Sequence, residues 1–252
     1  MQVVEAGPAV SVRGLTKRFG AAPNVLEEVS LDVAEGEFVC ILGASGCGKS
    51  TLLSLIADLD QPTAGSLQVL GGKPALMFQE PALFPWLTAR QNVELALRLR
   101  GVGKVERRGR ADELLDLVRL RDAGDKRVHE LSGGMRQRVA MARALAQDSQ
   151  VLLMDEPFAA LDAITRDVLH EELVRIRESQ KLTVLFVTHN VREAVRLGDR
   201  VVLLSSRPGR VVKEYAVDIE QPRRIESPQV AALSVDITDD LRNEIRKHGG
   251  QS

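Results

Sequence analysis

Unbroken apolar runs recur along this chain at Phe38-Val39-Cys40-Ile41-Leu42, Val151-Leu152-Leu153-Met154 and Thr183-Val184-Leu185-Phe186-Val187-Thr188. Runs of that length, bounded by turn or charged residues, predict strands buried on both faces of a parallel sheet. Two other stretches, Val10-Ser11-Val12-Arg13 and Val29-Ser30-Leu31-Asp32-Val33, alternate apolar with polar residues and predict half-exposed strands. Asp60 to Gly65 reads as a turn, and Ser66–Leu70 and Ala75–Phe78 as short strands separated by Gly71-Gly72-Lys73-Pro74.

Helical spacing appears in five places. Leu52-Leu53-Ser54-Leu55-Ile56 follows a glycine-rich turn, and Ala89–Arg100 and Val105–Leu120 place Leu95, Leu97, Leu99, Leu114, Leu115, Leu117 and Val118 as their apolar positions. Ser132-Gly133-Gly134 opens a helix rich in small residues, and Val230, Leu233, Ile237, Leu241 and Ile245 mark a packing helix after Pro228. Pro81 to Thr88 holds two prolines, Phe84 and Trp86, so a continuous helix is excluded and bulky apolar groups fall on a loop. Such groups either tuck under the domain or stand out as a docking surface; tryptophan and phenylalanine are favoured interface anchors, which tips the reading toward docking.

Composition narrows the class. With 252 residues, 44% apolar and 27% charged, the chain has the make-up of a soluble globular protein with one large domain or two modest ones. A net charge of −1 gives no basic field for nucleic acid, and the cluster Arg107-Arg108-Gly109-Arg110 reads as a solvated helix face. Two cysteines make no disulfide framework and fit a reducing compartment. The first eight residues lack the basic-then-apolar order of a secretory signal, and no apolar run approaches the roughly 20 residues that span a bilayer. A membrane role is therefore expected to come through a partner.

The chemistry begins at Gly43-Ala44-Ser45-Gly46-Cys47-Gly48-Lys49-Ser50-Thr51, between a buried strand and a helix. In that setting the pattern is a phosphate loop: glycines let successive N–H groups turn inward toward an anion, and the helix that follows adds its positive end. Lys49 is placed to reach terminal phosphates and the Ser50 hydroxyl to ligate Mg²⁺. Cys47 is either a small residue that fits the turn or a thiol activated by Lys49 and the helix start; Cys40 reads as inert packing.

Further signals are weaker singly. Ser132, Gly133 and Gly134 form a second helix N-terminus suited to a phosphate. Asp155 and Glu156 end a buried strand, where open α/β sheets place their ligands; Asp155 suits hydrated Mg²⁺ and Glu156 a general base for water. His189 ends another parallel-type strand on the same sheet edge, whereas His129, His170 and His248 read as surface or core fillers. Phe19, in a turn upstream of the phosphate loop, is equally suited to stacking on adenine or covering the core, and Gln79 closes an apolar strand.

In this order the motifs resemble the ATP-binding subunits of ABC transporters, over essentially the whole chain through about Arg224. The resemblance implies an α/β fold: a P-loop NTPase cassette with a mixed β core, an antiparallel β region and a helical signature subdomain over about 89–147, followed by a helical tail over 225–252. It makes Gly43 to Thr51 the Walker A loop, Gln79 the Q-loop glutamine, Leu131 to Gln137 the signature, Asp155 and Glu156 the Walker B pair, Ala160-Leu161-Asp162 the D-loop and His189 the switch histidine. It favours the adenine-stacking role for Phe19. It also implies Mg²⁺ held through Ser50, Gln79 and Asp155, and two copies that sandwich two ATP molecules head to tail.

Met135 and Ala160 stand where glutamine and serine are frequent, and Gly65 to Gln79 is short for the family. Three stretches, Phe78–Thr88, Ser205–Arg210 and Val217–Arg224, resemble the nitrate, sulfonate and taurine importer group, most closely aliphatic sulfonate importers. The implied partners are a second copy, two permease chains at the cytoplasmic face of the membrane and, indirectly, an extracytoplasmic binding protein. The competing reading, an ABC ATPase clamping nucleic acid or ribosomes, usually needs two cassettes or a long insertion in one chain.

Overall fold

The computed structural model describes residues 7–249; the expectations for Met1–Ala6 and for the side chain of His248 lie outside what is described. Among the described residues nine strands form two sheets. β1 (Val10–Lys17), β2 (Leu26–Val33) and β4 (Ala64–Val69) make an antiparallel sheet in the order β2-β1-β4. The larger sheet has the order β5-β6-β7-β3-β8-β9, built from β3 (Phe38–Leu42), β5 (Ala75–Met77), β6 (Val151–Asp155), β7 (Thr183–Val187), β8 (Arg200–Leu204) and β9 (Val211–Ala216). Its pairs are parallel except the last, β8 with β9.

Period-two alternation explains why β3, β6 and β7 are apolar throughout. Phe38, Cys40, Leu42, Leu152, Met154, Val184 and Phe186 face one hydrophobic cluster, which the helices cover. Val39, Ile41, Val151, Leu153, Leu185 and Val187 face a second one, shared with the antiparallel sheet and α1 (Lys49–Ile56). A strand sandwiched in this way has no solvent face to encode in polar residues.

The helical region comprises α2 (Ala89–Leu99), α3 (Lys104–Leu117) and α4 (Gly133–Leu145). Thr88 caps α2 with a capping box to Gln91, and Val93, Ala96 and Leu97 form its buried face. Leu99, expected among the apolar contacts, is exposed because it lies a quarter-turn or more off that face. α5 (Ala163–Gln180) starts on the Asp162 cap, and α6 (Val191–Leu197) on Asn190, which accepts from the Arg192 and Glu193 N–H groups.

α7 (Pro228–Gly249) packs against α6. The expected stripe holds for Val230 and Ile237, which are buried, and for Leu233 and Leu241, which are half-buried. It fails at Ile245, which is exposed, while the neighbouring Glu244 is buried. From Ile237 the inward line steps by four to Leu241 and by three to Glu244, leaving Ile245 past the contact. Among the described residues no helix is long and apolar enough to cross a membrane.

Candidate nucleotide site

β6, β7 and β3 are neighbours and parallel, so their carboxyl ends open on one edge of the sheet. The phosphate loop follows β3, Asp155 and Glu156 end β6, and His189 follows β7. Parallel register thus gathers residues more than a hundred positions apart in sequence.

At the head of α1, Gly48 has φ of 104°, a conformation that a side-chain-bearing residue rarely adopts. The buried Lys49 ammonium donates to the carbonyls of Gly43 at 2.9 Å and Ala44 at 3.0 Å. An ammonium folded back onto its own loop is desolvated and already positioned over the anion cradle. Ser45, Gly46 and Ser50 are exposed, and Thr51 is half-buried.

Cys47 is only 1% exposed, and burial pushes its thiol up despite the nearby Lys49. Of the two sequence readings, the small residue that fits the turn is the one the structure supports. Cys40 is fully buried, its thiol raised well above the usual range by the same desolvation.

Burial also raises the Asp155 carboxyl, partly offset by a hydrogen bond from the Ser50 hydroxyl and by the charge of Lys49. Glu156 occupies the left-handed region with φ of 42°, a strained conformation held by its N–H donating to the Val187 carbonyl at 2.9 Å. Its Oε2 lies 2.8 Å from Nδ1 of His189, a side chain 65% exposed. The acid and the imidazole therefore form a pair at the open edge.

The donor set fits a magnesium nucleotide. Mg²⁺ takes one or two protein oxygens and completes its shell with phosphates and water. Ser50 and Asp155 already face each other beside Lys49, and Ser45 and Gly46 of the loop are exposed.

Phe19 is 50% exposed, with Lys17 Nζ 4.8 Å from its ring centroid, so it does not serve to cover the core. The side chain of Gln79 is exposed, and its carbonyl accepts from Gln137 Nε2 at 3.0 Å. Ser132 caps α4 by accepting from the Met135 N–H, and Gly134 lies directly against Thr165 of α5. Ser132 also accepts the Arg136 N–H at its carbonyl, and a Cβ on Gly133 or Gly134 would meet Leu161 or Thr165; no hydrogen bond joins Ser132–Gly134 to Lys49 among the described residues. The two anion sites of the sequence are separate features of the chain.

Sequence reasoning missed the support behind the loop. A Cβ on Gly209 would stand 2.2 Å from the Cys47 carbonyl, so the segment between β8 and β9 packs directly beneath the phosphate loop. Gly209 is fixed there by donating to the Val25 carbonyl and accepting from the Glu27 N–H. A Ser-Arg-Pro-Gly turn signal was visible in Ser206–Gly209, but not its neighbour.

The loop Pro81–Thr88 is pinned by its backbone and turned outward by its side chains. Arg143 donates to the Pro81 and Ala82 carbonyls, Arg127 to the Trp86 carbonyl, and Asn92 exchanges hydrogen bonds with the Phe84 backbone. Phe84 and Trp86 meet at 5.4 Å between centroids, with Trp86 66% exposed.

Comparison with known proteins agrees with this geometry. A family model described as ABC transporter matches residues 26–159. The taurine import ATP-binding protein TauB of Mesorhizobium japonicum is 52% identical over 204 residues, 78% of this chain and 79% of the relative. The aliphatic sulfonates import ATP-binding protein SsuB 1 of the same organism is 46% identical over 244 residues, 94% of this chain and 90% of the relative. Among solved structures, the dimeric post-hydrolysis state of the ATP-binding cassette MJ0796, bound to ADP and Pi, superposes with a TM-score of 0.74 at 35% identity, covering 84% of this chain and all of that one. With the glycine-rich loop, Asp155, Glu156 and His189 gathered on one sheet edge, these matches establish that the chain belongs to the ABC transporter family, among its ATP-binding cassette ATPases.

Proposed function

We propose that this chain is the ATP-hydrolysing subunit of a membrane importer for a small anion of the sulfonate and taurine class. The observation that carries the site reading is the Glu156–His189 pair at 2.8 Å beside Asp155 and the phosphate loop. The names of the relatives at 41–52% identity support the cargo class.

In this reading Phe19 stacks on adenine and the loop Gly43–Thr51 wraps the phosphates with its N–H groups. Lys49 leaves the Gly43 and Ala44 carbonyls for the terminal phosphate oxygens, a charge-assisted exchange that favours the triphosphate. Ser50, Gln79 and Asp155 hold Mg²⁺, which when bound offsets the charge of the β- and γ-phosphates. Glu156 takes the proton of the attacking water, and His189, held at Nδ1 by Glu156, is left with Nε2 for the γ-phosphate.

Ser132, Gly133 and Gly134 serve the nucleotide of a second copy, which accounts for a second anion site remote from the first. The γ-phosphate then stabilises the closed dimer over the open one, and its loss on hydrolysis releases that closure. The dimeric cassette structure supports two-copy assembly. In this reading the cassette runs to about 224, with the helical subdomain over about 89–147, and the chain from 225 is a helical tail whose described part, α7, packs against α6. The exposed Phe84 and Trp86 are, in the same reading, the socket for a permease helix, and the subunit sits peripherally at the cytoplasmic face of the membrane; the exposure of both rings supports it.

The test is co-expression with the permease encoded beside it, followed by ATPase assays with binding protein loaded in turn with an alkanesulfonate, taurine or nitrate. Stimulation by one solute supports the importer reading and names the cargo. No permease association, with ATPase activity stimulated by RNA or DNA, overturns it.

A further inference from the structure

His170, in the middle of α5, is 1% exposed and places Nε2 2.7 Å from Oε1 of Glu193, itself buried in the first turn of α6. The second oxygen of that carboxylate, Oε2, accepts from the Thr188 hydroxyl. The same hydroxyl accepts the Asn190 N–H at 3.0 Å. The residues on both sides of His189 are thus tied to one buried carboxylate, and His170 is that carboxylate's partner from the opposite element.

The other face of the imidazole packs on Phe158, 5.5 Å between centroids, two residues beyond Glu156. Phe158 is buried against Phe186 of β7, and its carbonyl accepts from Arg166. One ring therefore touches both limbs of the hydrolytic pair: the Glu156 limb through Phe158 and the His189 limb through Glu193 and Thr188.

A buried carboxylate is tolerated only when it is partnered. His170 Nδ1 is buried without a hydrogen-bond partner, so the tautomer with the proton on Nε2 satisfies Glu193 and leaves only a bare acceptor unpaired. Without His170, Glu193 loses its donor from α5 and must turn or draw in water. The Thr188 hydroxyl then loses its carboxylate partner, and the backbone that carries His189 keeps only its main-chain ties, such as the Thr188 N–H to the Ile41 carbonyl.

We infer that His170 is a positioning residue for ATP hydrolysis, acting through Glu193 to hold His189 against Glu156, a role that rests on the reading of those two as the hydrolytic pair. Its side chain is buried and acts through Glu193 and Thr188. It follows that its loss affects the chemical step while leaving ground-state nucleotide binding in place.

The experiment compares kcat and KM for ATP, nucleotide affinity measured with a fluorescent ATP analogue, and Tm for His170→Ala, His170→Gln, Thr188→Val and Glu193→Gln. The expected result is a fall in kcat of about ten-fold for His170→Ala and Thr188→Val, with KM and nucleotide affinity within about two-fold of the parent. The Gln variant, whose amide N–H can reach Glu193, should recover to within about three-fold. If His170→Ala does not fold, the Thr188→Val and His170→Gln results still decide the matter.

Parent-level kcat in both His170→Ala and Thr188→Val overturns the inference, as does a loss in His170→Ala that tracks Tm and that Gln does not restore. Glu156→Gln and His189→Ala run alongside as controls. If they hydrolyse ATP normally, the site reading itself fails; if they are inactive while His170→Ala is unaffected, only the positioning role does.

Discussion

Gln137, in the second turn of α4, donates its side-chain amide to the main-chain carbonyl of Gln79, 3.0 Å away. α4 and the segment that leaves β5 are thereby joined by a partly buried hydrogen bond. Gln137 Oε1 is buried without a hydrogen-bond partner in the described structure, so the residue is kept in place for one bond. Gln137→Leu should leave ATP affinity within two-fold and Tm within about 2 °C, since it removes an unpaired polar atom along with the bond. Stimulation of ATPase activity by permease and loaded binding protein should fall several-fold, because α4 no longer follows Gln79. Full stimulation in reconstituted vesicles would show that the bond transmits nothing.

Glu156 is held in a strained backbone conformation with its carboxylate on His189. Glu156→Gln should lower kcat by about 10²- to 10⁴-fold, the range for a lost general base, while ATP affinity persists. Size-exclusion chromatography with ATP should show a trapped dimer. Rapid turnover by this variant would move the base elsewhere.

Asp155 predicts a pH effect with a definite sign. Burial raises its carboxyl above the ordinary value of 3.8. Between the unfolded and folded pKa values the folded chain binds more protons, so stability falls as pH rises through that window. At neutral pH the nucleotide-free chain bears the full cost of the buried charge. Asp155→Asn should therefore melt higher than the parent at pH 7, by about 2–4 °C for each kcal/mol relieved, with the gain shrinking toward pH 4. Mg²⁺-ATP should raise the Tm of the parent more than that of the variant. A lower Tm for the nucleotide-free variant at pH 7 would contradict the burial argument.

Cys47 should be silent to thiol reagents in the native protein, because its side chain is enclosed and its thiol raised by burial. Titration with Ellman's reagent should find no rapidly reacting thiol before denaturation and two after it, with ATP binding preserved after native treatment. Rapid native labelling that blocks nucleotide would restore the activated-thiol reading.

Trp86 is more exposed than Phe84 on a loop whose backbone is fixed by Arg127, Arg143 and Asn92. Trp86→Ala should spare Tm and basal ATPase activity yet weaken association with the permease by about 2 kcal/mol, roughly thirty-fold, as loss of an interface anchor does. Unchanged co-purification would rule the loop out as the socket.

The elements that the sequence displayed most clearly were those with a single local cause. Gly43 to Thr51 announces itself because phosphate binding needs glycine, lysine and hydroxyl at fixed spacing. β3, β6 and β7 announce themselves because a strand buried on both faces is apolar at every position. The alternation in β1 and β2 was equally legible, though both extend further than the alternating core of each, to Lys17 and back to Leu26. α7 was visible as a helix, but its contact face could be read only as far as Leu241.

The chain's own sequence therefore marked the candidates for phosphate chemistry and the strands that lie in the core, since those follow from residue type and spacing alone. Tertiary structure decided everything that depends on two distant segments meeting. It set Glu156 on His189, Gly209 beneath Cys47, and Gln137 on the Gln79 carbonyl. It also turned His170 from an unremarkable histidine into the partner of Glu193. No periodicity encodes such pairs, because each results from parallel register and helix packing that bring together residues between 23 and 162 positions apart.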